Sequence, residues 1–467
     1  MVKEAVRFGG STHGTLTRDV MENMRRRIAS RALLPGARLP SIRQTAAALK
    51  VSKATVVEAY DRLVANGEIV ARKGSGFYVS ARAAPLQLSP RQSAKREIDP
   101  FWVSRLSLEP ASGTLMPGCG WLPKDWMPQK ALTRALRKMA REEGDALVEY
   151  GSPMGEAALR QRLAARFADN GVTAAPDQIL LTGSGTQAID LVCRLLIEPG
   201  DCVLLDDPCY FNFQTLLKAH RVRIVRAPYL DDGPDMDIFE ATLRREKPRL
   251  YITNSALHNP TGAALSPVKA HRVLKAAEEA GMVIVEDDIF ADFETAPAPR
   301  LAAFDGFESV VQIGSFSKTL SAGIRCGYIA ARADWIERLV DLKIATSFGS
   351  DAFSQKLVLS LLEDGSYRKH LDHVRLRLAQ KMRETELKLR PIGITPAYSP
   401  NGGMFLWCRL PEGFDAGEIA RQAMTHDIVL APGQVFSCAD DAGRYMRFNV
   451  SRCDDERIHA FLANTLR

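Results

Sequence analysis

An α/β chain assembled from separate parts is what this sequence predicts, on three observations. Short apolar runs alternate with helical stretches from about residue 111 onward, a stretch rich in proline and charge (Ala81 to Pro110) precedes them, and the excess positive charge is confined to the front. The 467 residues carry +7 in all, yet residues 1–80 alone hold +8 and the remainder nets −1. That asymmetry points to a polyanionic partner for the front and an ordinary globule behind it. A hydrophobic share of 46% with 25% charged residues excludes a disordered or fibrous chain. No apolar run approaches the roughly 18 residues of a bilayer span. Lys3, Glu4 and Arg7 lead into no apolar run of a secretory signal, so a cytoplasmic protein with no membrane partner is expected.

The first helix is expected over Thr17 to Ser30, where Val20, Met24 and Ile28 recur at helical spacing, before a turn at Pro35-Gly36. Ser41 can cap a second helix with Ile42, Ala46 and Leu49 inward, and Ser52 a third with Val56, Ala59, Tyr60 and Leu63. Asn66-Gly67 stops that helix. Glu68 to Arg72 and Gly76 to Val79 then read as a hairpin around Lys73-Gly74-Ser75. Three helices and a glycine-tipped hairpin describe a winged helix-turn-helix, whose third helix enters the major groove of double-stranded DNA. Ser52, Lys53 and Thr55 are the exposed residues expected at the start of that helix. Arg72 and Lys73 flank a wing tip where Gly74 lets the backbone approach a sugar-phosphate chain, and Arg43 can reach another phosphate.

The run "LLPGARLPSIRQTAAALKVSKATVVEAYDRLVANGEIVARKGSGFYVS" resembles the DNA-binding domain of the GntR family. It follows that family's P-G-x-x-L-P-S-x-R, V-S-x-x-T-V and A-Y-x-x-L pattern and glycine-rich wing. It departs at Lys50, where the family often has Gly, and at Lys53, where Arg is common and bidentate contact is lost.

Residues 1–80 thus form one expected domain and 81–110 a linker, in which Pro85, Pro90, Pro100 and Pro110 alternate with cations and the apolar residues keep no period. Residues 111–467 form the second domain. Eight scattered cysteines contain no C-x-x-C pair, which argues for reduced thiols and against zinc. His370 and His373 have no acidic or cysteine partner in pattern and read as a solvated helix face, so no metal is expected.

Seven apolar strands are expected in the second domain: Gln178 to Leu181, Cys202 to Leu205, Arg221 to Val225, Leu250 to Thr253, Met282 to Val285, Val310 to Ile313 and Gly327 to Ala330. Interleaved with helices they predict a mostly parallel sheet covered on both faces, with ligands gathering at strand ends. Unusual residues stand at those ends. Thr182-Gly183-Ser184-Gly185-Thr186-Gln187 opens a helix, as a phosphate cup does, although a glycine turn alone is equally a structural feature. Asn259-Pro260-Thr261-Gly262 presents an amide, and Glu286-Asp287-Asp288 sets acids at the end of a buried strand, where burial is costly without a cation. Gly314-Ser315-Phe316-Ser317-Lys318-Thr319 puts a lysine among hydroxyls, with Arg325 near enough to disfavour its charge.

Together these meet the needs of pyridoxal phosphate: a lysine for the aldehyde, an acid for the pyridinium nitrogen, a phosphate cup, a donor to the phenolate oxygen and a ring to stack on. Their order and wording resemble the fold-type I aminotransferases over essentially all of residues 111–467. The resemblance implies that Lys318 forms the internal aldimine and Asp287 keeps the ring nitrogen protonated. It implies that Asn259 donates to the phenolate, Tyr210 stacks on the ring, and Gly185, Thr186, Ser315 and Arg325 hold the phosphate. Tyr150 would reach the phosphate of the neighbouring subunit of a homodimer. Arg447 in "MRFNVS" would clamp a substrate carboxylate. Phe290 stands where many relatives have Tyr, which removes a donor to the phenolate; Ala322 and Leu257-His258 are lesser departures, with His258 expected to be structural.

A GntR-like reader, a linker and an aminotransferase-like domain in that order resemble the MocR subfamily of bacterial transcription regulators. The resemblance implies a regulator whose aminotransferase-like domain senses an amino-acid or amine effector through an aldimine. The alternative is an active aminotransferase carrying a DNA-binding appendage.

Overall fold

The computed structural model describes residues 13–29, 32–72, 74–80, 100–142, 148, 150–349, 351–400 and 402–467. They fall into two compact units, Met1–Lys95 and Arg96–Arg467. Lys73 and the expected linker up to residue 99 lie outside the described residues.

The front unit holds α1 (His13–Ala29), α2 (Ile42–Leu49), α3 (Lys53–Ala65), β1 (Ile69–Arg72) and β2 (Gly76–Val79). This is the winged helix-turn-helix, with α1 starting four residues before the expected Thr17. Ser41 caps α2 in a reciprocal box with Gln44, and Ser52 caps α3. Val20, Met24, Val56, Tyr60 and Leu63 make the core. The Tyr60 hydroxyl ties the helices together, pairing with Thr45 Oγ1 at 2.8 Å and donating to the Pro40 carbonyl at 3.0 Å. Lys50 ends α2 with φ +53°, the left-handed conformation glycine adopts freely, so this departure from the GntR pattern costs about 1 kcal/mol. The wing is anchored through β2: Gly36 N–H donates to the Val79 carbonyl at 3.0 Å and Leu39 N–H to that of Phe77 at 2.8 Å.

In the second unit the seven expected strands are present, their ends displaced by a residue or two except at β5, which runs on to Leu230 where Val225 was the expected end. They are β3 (Ile179–Thr182), β4 (Cys202–Asp207), β5 (Arg223–Leu230), β7 (Leu250–Thr253), β8 (Val283–Asp287), β9 (Val310–Ser315) and β10 (Gly327–Ala330), with a short β6 (Gly233–Pro234) after β5. The sheet order is β3-β10-β9-β8-β7-β4-β5-β6. The strands from β9 across to β5 run parallel, while β10 is antiparallel to both its neighbours and β6 to β5. Neighbouring residues face opposite sides, so Leu180 joins one apolar layer and Leu181 the other. A second antiparallel sheet, in the order β11-β12-β14-β13, follows: β11 (Thr395–Pro396), β12 (Phe405–Arg409), β13 (Ala431–Pro432) and β14 (Tyr445–Asn449). The sequence reading missed it: β11 and β13 are two residues long, and β12 and β14 pair with each other from places far apart in the sequence.

Five helices precede or surround the first strands: α4 (Pro100–Leu108), α5 (Gln129–Glu142), α6 (Ala157–Asp169), α7 (Gly185–Leu196) and α8 (Phe211–Ala219). Helix α4 corrects the expectation of a linker through Pro110. Val103 is buried and Leu106 packs beside it against the core containing Phe211, Phe290 and Phe405. Two apolar contacts between prolines are too few to register as a period. Among the described residues no helix is long and apolar enough to cross a membrane. The eight cysteines are free, and all but Cys438 are buried.

Candidate cofactor pocket and nucleic-acid interface

The parallel strands end at a cavity of about 150 Å³ in the second unit. Its walls include Gly185, Thr186, Tyr210, Asn259, Asp287, Ser315, Lys318, Arg325 and Arg447, so the structure gathers nearly every residue singled out for the cofactor.

Lys318 lies in the turn after β9, its Nζ 5.8 Å from the Trp121 ring centroid. Burial pushes its ammonium down to about 8, with Arg447 and Arg325 acting in the same direction. Arg325 is thus a minor contributor. Asp287 ends β8, and burial pushes its carboxyl up to about 6. The flanking acids have other employment. Glu286 accepts from the N–H groups of Leu301 and Ala302 at 2.8 and 3.1 Å, while Asp288 pairs with the buried Arg300 at 2.9 Å. Only Asp287 of the three lines the pocket and lacks a cation in ion-pair range among the described residues.

Arg447, on β14, is 1% exposed. It donates from Nη1 to Asn259 Oδ1 at 2.7 Å and from Nη2 to the Gly118 carbonyl at 2.8 Å. Its guanidinium lies between the rings of Phe405 and Phe436, 4.2 and 4.6 Å from their centroids. Nε has no partner, and no carboxylate pairs with this cation among the described residues. Burial accordingly pushes Arg447 down to about 10. A buried, unopposed guanidinium is a site for an anion.

Ser184 caps α7 through the Gln187 N–H at 3.0 Å, leaving the first N–H groups of the helix, at Gly185 and Thr186, turned toward the pocket rim. Ser315 donates to the Cys326 carbonyl at 3.0 Å and has Ser317 Oγ 2.9 Å away, placed to donate to it, which holds that hydroxyl pair together. Tyr210 packs edge-on against Phe213. The donor set fits pyridoxal phosphate: N–H groups, hydroxyls and exposed Arg325 for a phosphate, and a buried carboxylate without a cation for a ring nitrogen.

Tyr150 stands apart. It is 83% exposed, outside the pocket, and packs on the exposed Phe348 with ring centroids 5.1 Å apart. Phe290 is buried at the pocket wall, edge-on to Phe405. His258 is buried away from it, stacked on Tyr229 with its Nδ1 2.8 Å from Thr261 Oγ1. His370 is half-buried and hydrogen-bonds the Thr319 carbonyl at 2.7 Å, so it is a packing residue and not a solvated one. The sequence reading missed Trp121, Ser104 and Ser107 at the pocket. Only the tryptophan that follows three small residues in "GCGW" offered a signal.

In the front unit Arg43, Ser52 and Lys53 are exposed at the starts of α2 and α3, and Arg72 and Gly74 at the wing. Arg72 covers the Tyr78 ring at 4.4 Å, and Gly74 takes φ +73°. Thr55 is a correction: it is 3% exposed, with Oγ1 2.8 Å from Ser52 Oγ. Its position one turn into α3 points it inward, where it supports the cap instead of reaching DNA.

Residues 123–464 match the model of the aminotransferase class I and II family, and residues 16–79 that of the bacterial regulatory proteins of the gntR family. An uncharacterized HTH-type transcriptional regulator of Escherichia coli strain K12, YdcR, is 31% identical over 92% of this chain and 94% of its own. The 2-aminoadipate transaminase of Thermus thermophilus is 30% identical over 76% of this chain and 89% of its own. Among solved structures, LysN, the α-aminoadipate aminotransferase of Thermus thermophilus complexed with N-(5'-phosphopyridoxyl)-L-leucine, superposes with a TM-score of 0.69 at 28% identity. That match covers 78% of this chain and 92% of the other.

Proposed function

The chain belongs to the aminotransferase class I and II family and carries a gntR-family reader ahead of it, the build of the MocR subfamily; from that premise we propose a cytoplasmic, pyridoxal phosphate-dependent transcription regulator that senses an amino-acid or amine effector. The observation that carries this reading is the buried Arg447, unopposed by an acid, in one pocket with Lys318, Asp287 and Asn259.

When bound, pyridoxal phosphate supplies an aldehyde that condenses with primary amines and a ring that withdraws electrons. Lys318, with its amine near neutrality, holds the aldehyde and afterwards serves as a base close by. Asp287 stabilises a proton on the ring nitrogen. Asn259 keeps its amide donor for the ring oxygen because Arg447 occupies Oδ1. Tyr210 covers one ring face, and the start of α7 with Ser315 and Arg325 receives the phosphate. Arg447 receives the carboxylate of the effector, which makes an amino acid the favoured ligand over a plain amine. The exposed Tyr150–Phe348 pair supports a homodimer in which Tyr150 reaches the partner's site. Arg43, Ser52, Lys53, Arg72, Lys73 and Gly74 contact DNA, and two readers meet two half-sites. An effector regulates only if it binds two DNA-affinity states unequally.

The test is anisotropy of a labelled duplex, selected by the full chain from a random pool, at fixed salt with and without cofactor and for Lys318→Ala. A cofactor-dependent affinity that Lys318→Ala abolishes is expected; an identical response in both chains defeats the proposal. The second reading, an aminotransferase with a DNA-binding appendage, draws on the intact set around Lys318. Multiple turnovers with an amino acid and a keto acid would favour it.

A further inference from the structure

Helix α4 lies where the chain from the DNA-reading unit first enters the second unit, and three of its residues, Val103, Ser104 and Ser107, are pocket wall. Ser104 and Ser107 are three positions apart and share one helical face. Serine hydroxyls in helices commonly satisfy themselves on the carbonyl a turn back. Ser107 does not: it is 3% exposed, and its Oγ has no partner among the described residues.

The place of α4 within the pocket follows from its neighbours. It packs on α8, whose first residue is Phe211, and on the turn Gly433–Val435. Phe211 meets Phe436 at 5.6 Å between centroids, and Phe436 covers the Arg447 guanidinium. Two packed rings, Phe211 and Phe436, thus stand between α4 and the Arg447 guanidinium. The charges in the wall, Asp287, Lys318, Arg325 and Arg447, all have assignments, and α4 adds none to them. The two hydroxyls share the wall with apolar side chains, those of Val103, Trp121, Phe211, Ile289 and Phe290.

We infer that α4 is the subsite for the effector's side chain, selecting a neutral amino acid that ends in a hydroxyl or amide. The inference rests on the pocket being the cofactor and effector site. Carboxylate on Arg447 and amine at Lys318 leave the side chain to run along the apolar wall to Ser104 and Ser107. A second carboxylate finds no cation there; a purely apolar tip leaves the Ser107 hydroxyl unpaired.

The experiment titrates the cofactor-loaded full chain with L-glutamine, L-homoserine, L-glutamate and L-norleucine, following the visible absorbance. Glutamine or homoserine is expected to bind at least ~5-fold tighter than glutamate and norleucine. Ser107→Ala should remove most of that advantage while norleucine affinity stays within about twofold. Equal binding of all four, or a Ser107→Ala loss shared by norleucine, overturns the subsite. Failure to acquire cofactor absorbance defeats the pocket reading itself, a result separate from a coloured chain that fails to discriminate.

Discussion

Arg447 donates to Asn259 Oδ1 at 2.7 Å across 188 positions of sequence, so the guanidinium proposed as the anion clamp and the amide proposed for the cofactor ring form one hydrogen-bonded unit. A change at either side chain disturbs the other. Arg447→Gln should weaken amino-acid binding about 100-fold, and a double-mutant cycle with Asn259→Ala, read as cofactor affinity, should show coupling of about 1 kcal/mol or more. Additive effects would mean that the two act separately.

Capture of an aldehyde requires neutral Lys318, held near 8. Cofactor uptake by the apo chain should therefore accelerate with rising pH and level off above about 8. Arg447→Met removes a cation that depresses Lys318, and the midpoint should move upward. Stopped-flow absorbance across pH gives both curves.

Asp287 keeps its proton up to about 6 in the folded chain, against an ordinary 3.8. Between those values the unfolded chain binds fewer protons, so this group lowers apo stability as pH rises through the window, and the penalty persists above it. A ring cation removes the penalty. The gain in Tm on adding pyridoxal phosphate should be larger near pH 7.5 than near pH 5, and Asp287→Asn should flatten that difference.

Lys53→Ala should weaken binding to any duplex and lower the slope of log K against log salt by about 1. Thr55→Ala should instead destabilise the front unit by ~1 kcal/mol, with little change in DNA affinity once folded. Thermal melts beside anisotropy titrations separate the two effects.

Phe290 fills the pocket wall edge-on to Phe405. Phe290→Tyr restores a donor at the ring and should raise any amino-transfer rate measured with saturating amino acid and keto acid. An unchanged rate would show that the hydroxyl fails to reach the ring.

The sequence revealed what depends on local order. Capping serines, a glycine-tipped wing and seven apolar runs are nearest-neighbour signals, and the motifs after β3, β8 and β9 stand at strand ends where a parallel sheet gathers ligands. It concealed what depends on distant partners. Thr55 was expected outward because position on the helix, not composition, turns it in. Helix α4 is held by burial of Val103 and Leu106 against residues more than a hundred positions away, and its flanking prolines argued for a linker. The resemblance had singled out Asp287, but that Asp288 is spent on Arg300 needed the pairing geometry.

The final strand clasps the start of its unit: Arg447 holds the Gly118 carbonyl, and Asn449 those of Cys119 and Trp121. Synthesis runs the other way. At roughly 5–20 residues per second, the nucleic-acid reader leaves the ribosome tens of seconds before the segment that completes the cavity. Under the proposed function, a nascent polypeptide would carry its reader before the cavity meant to govern it, and premature termination near the end would leave the one without the other.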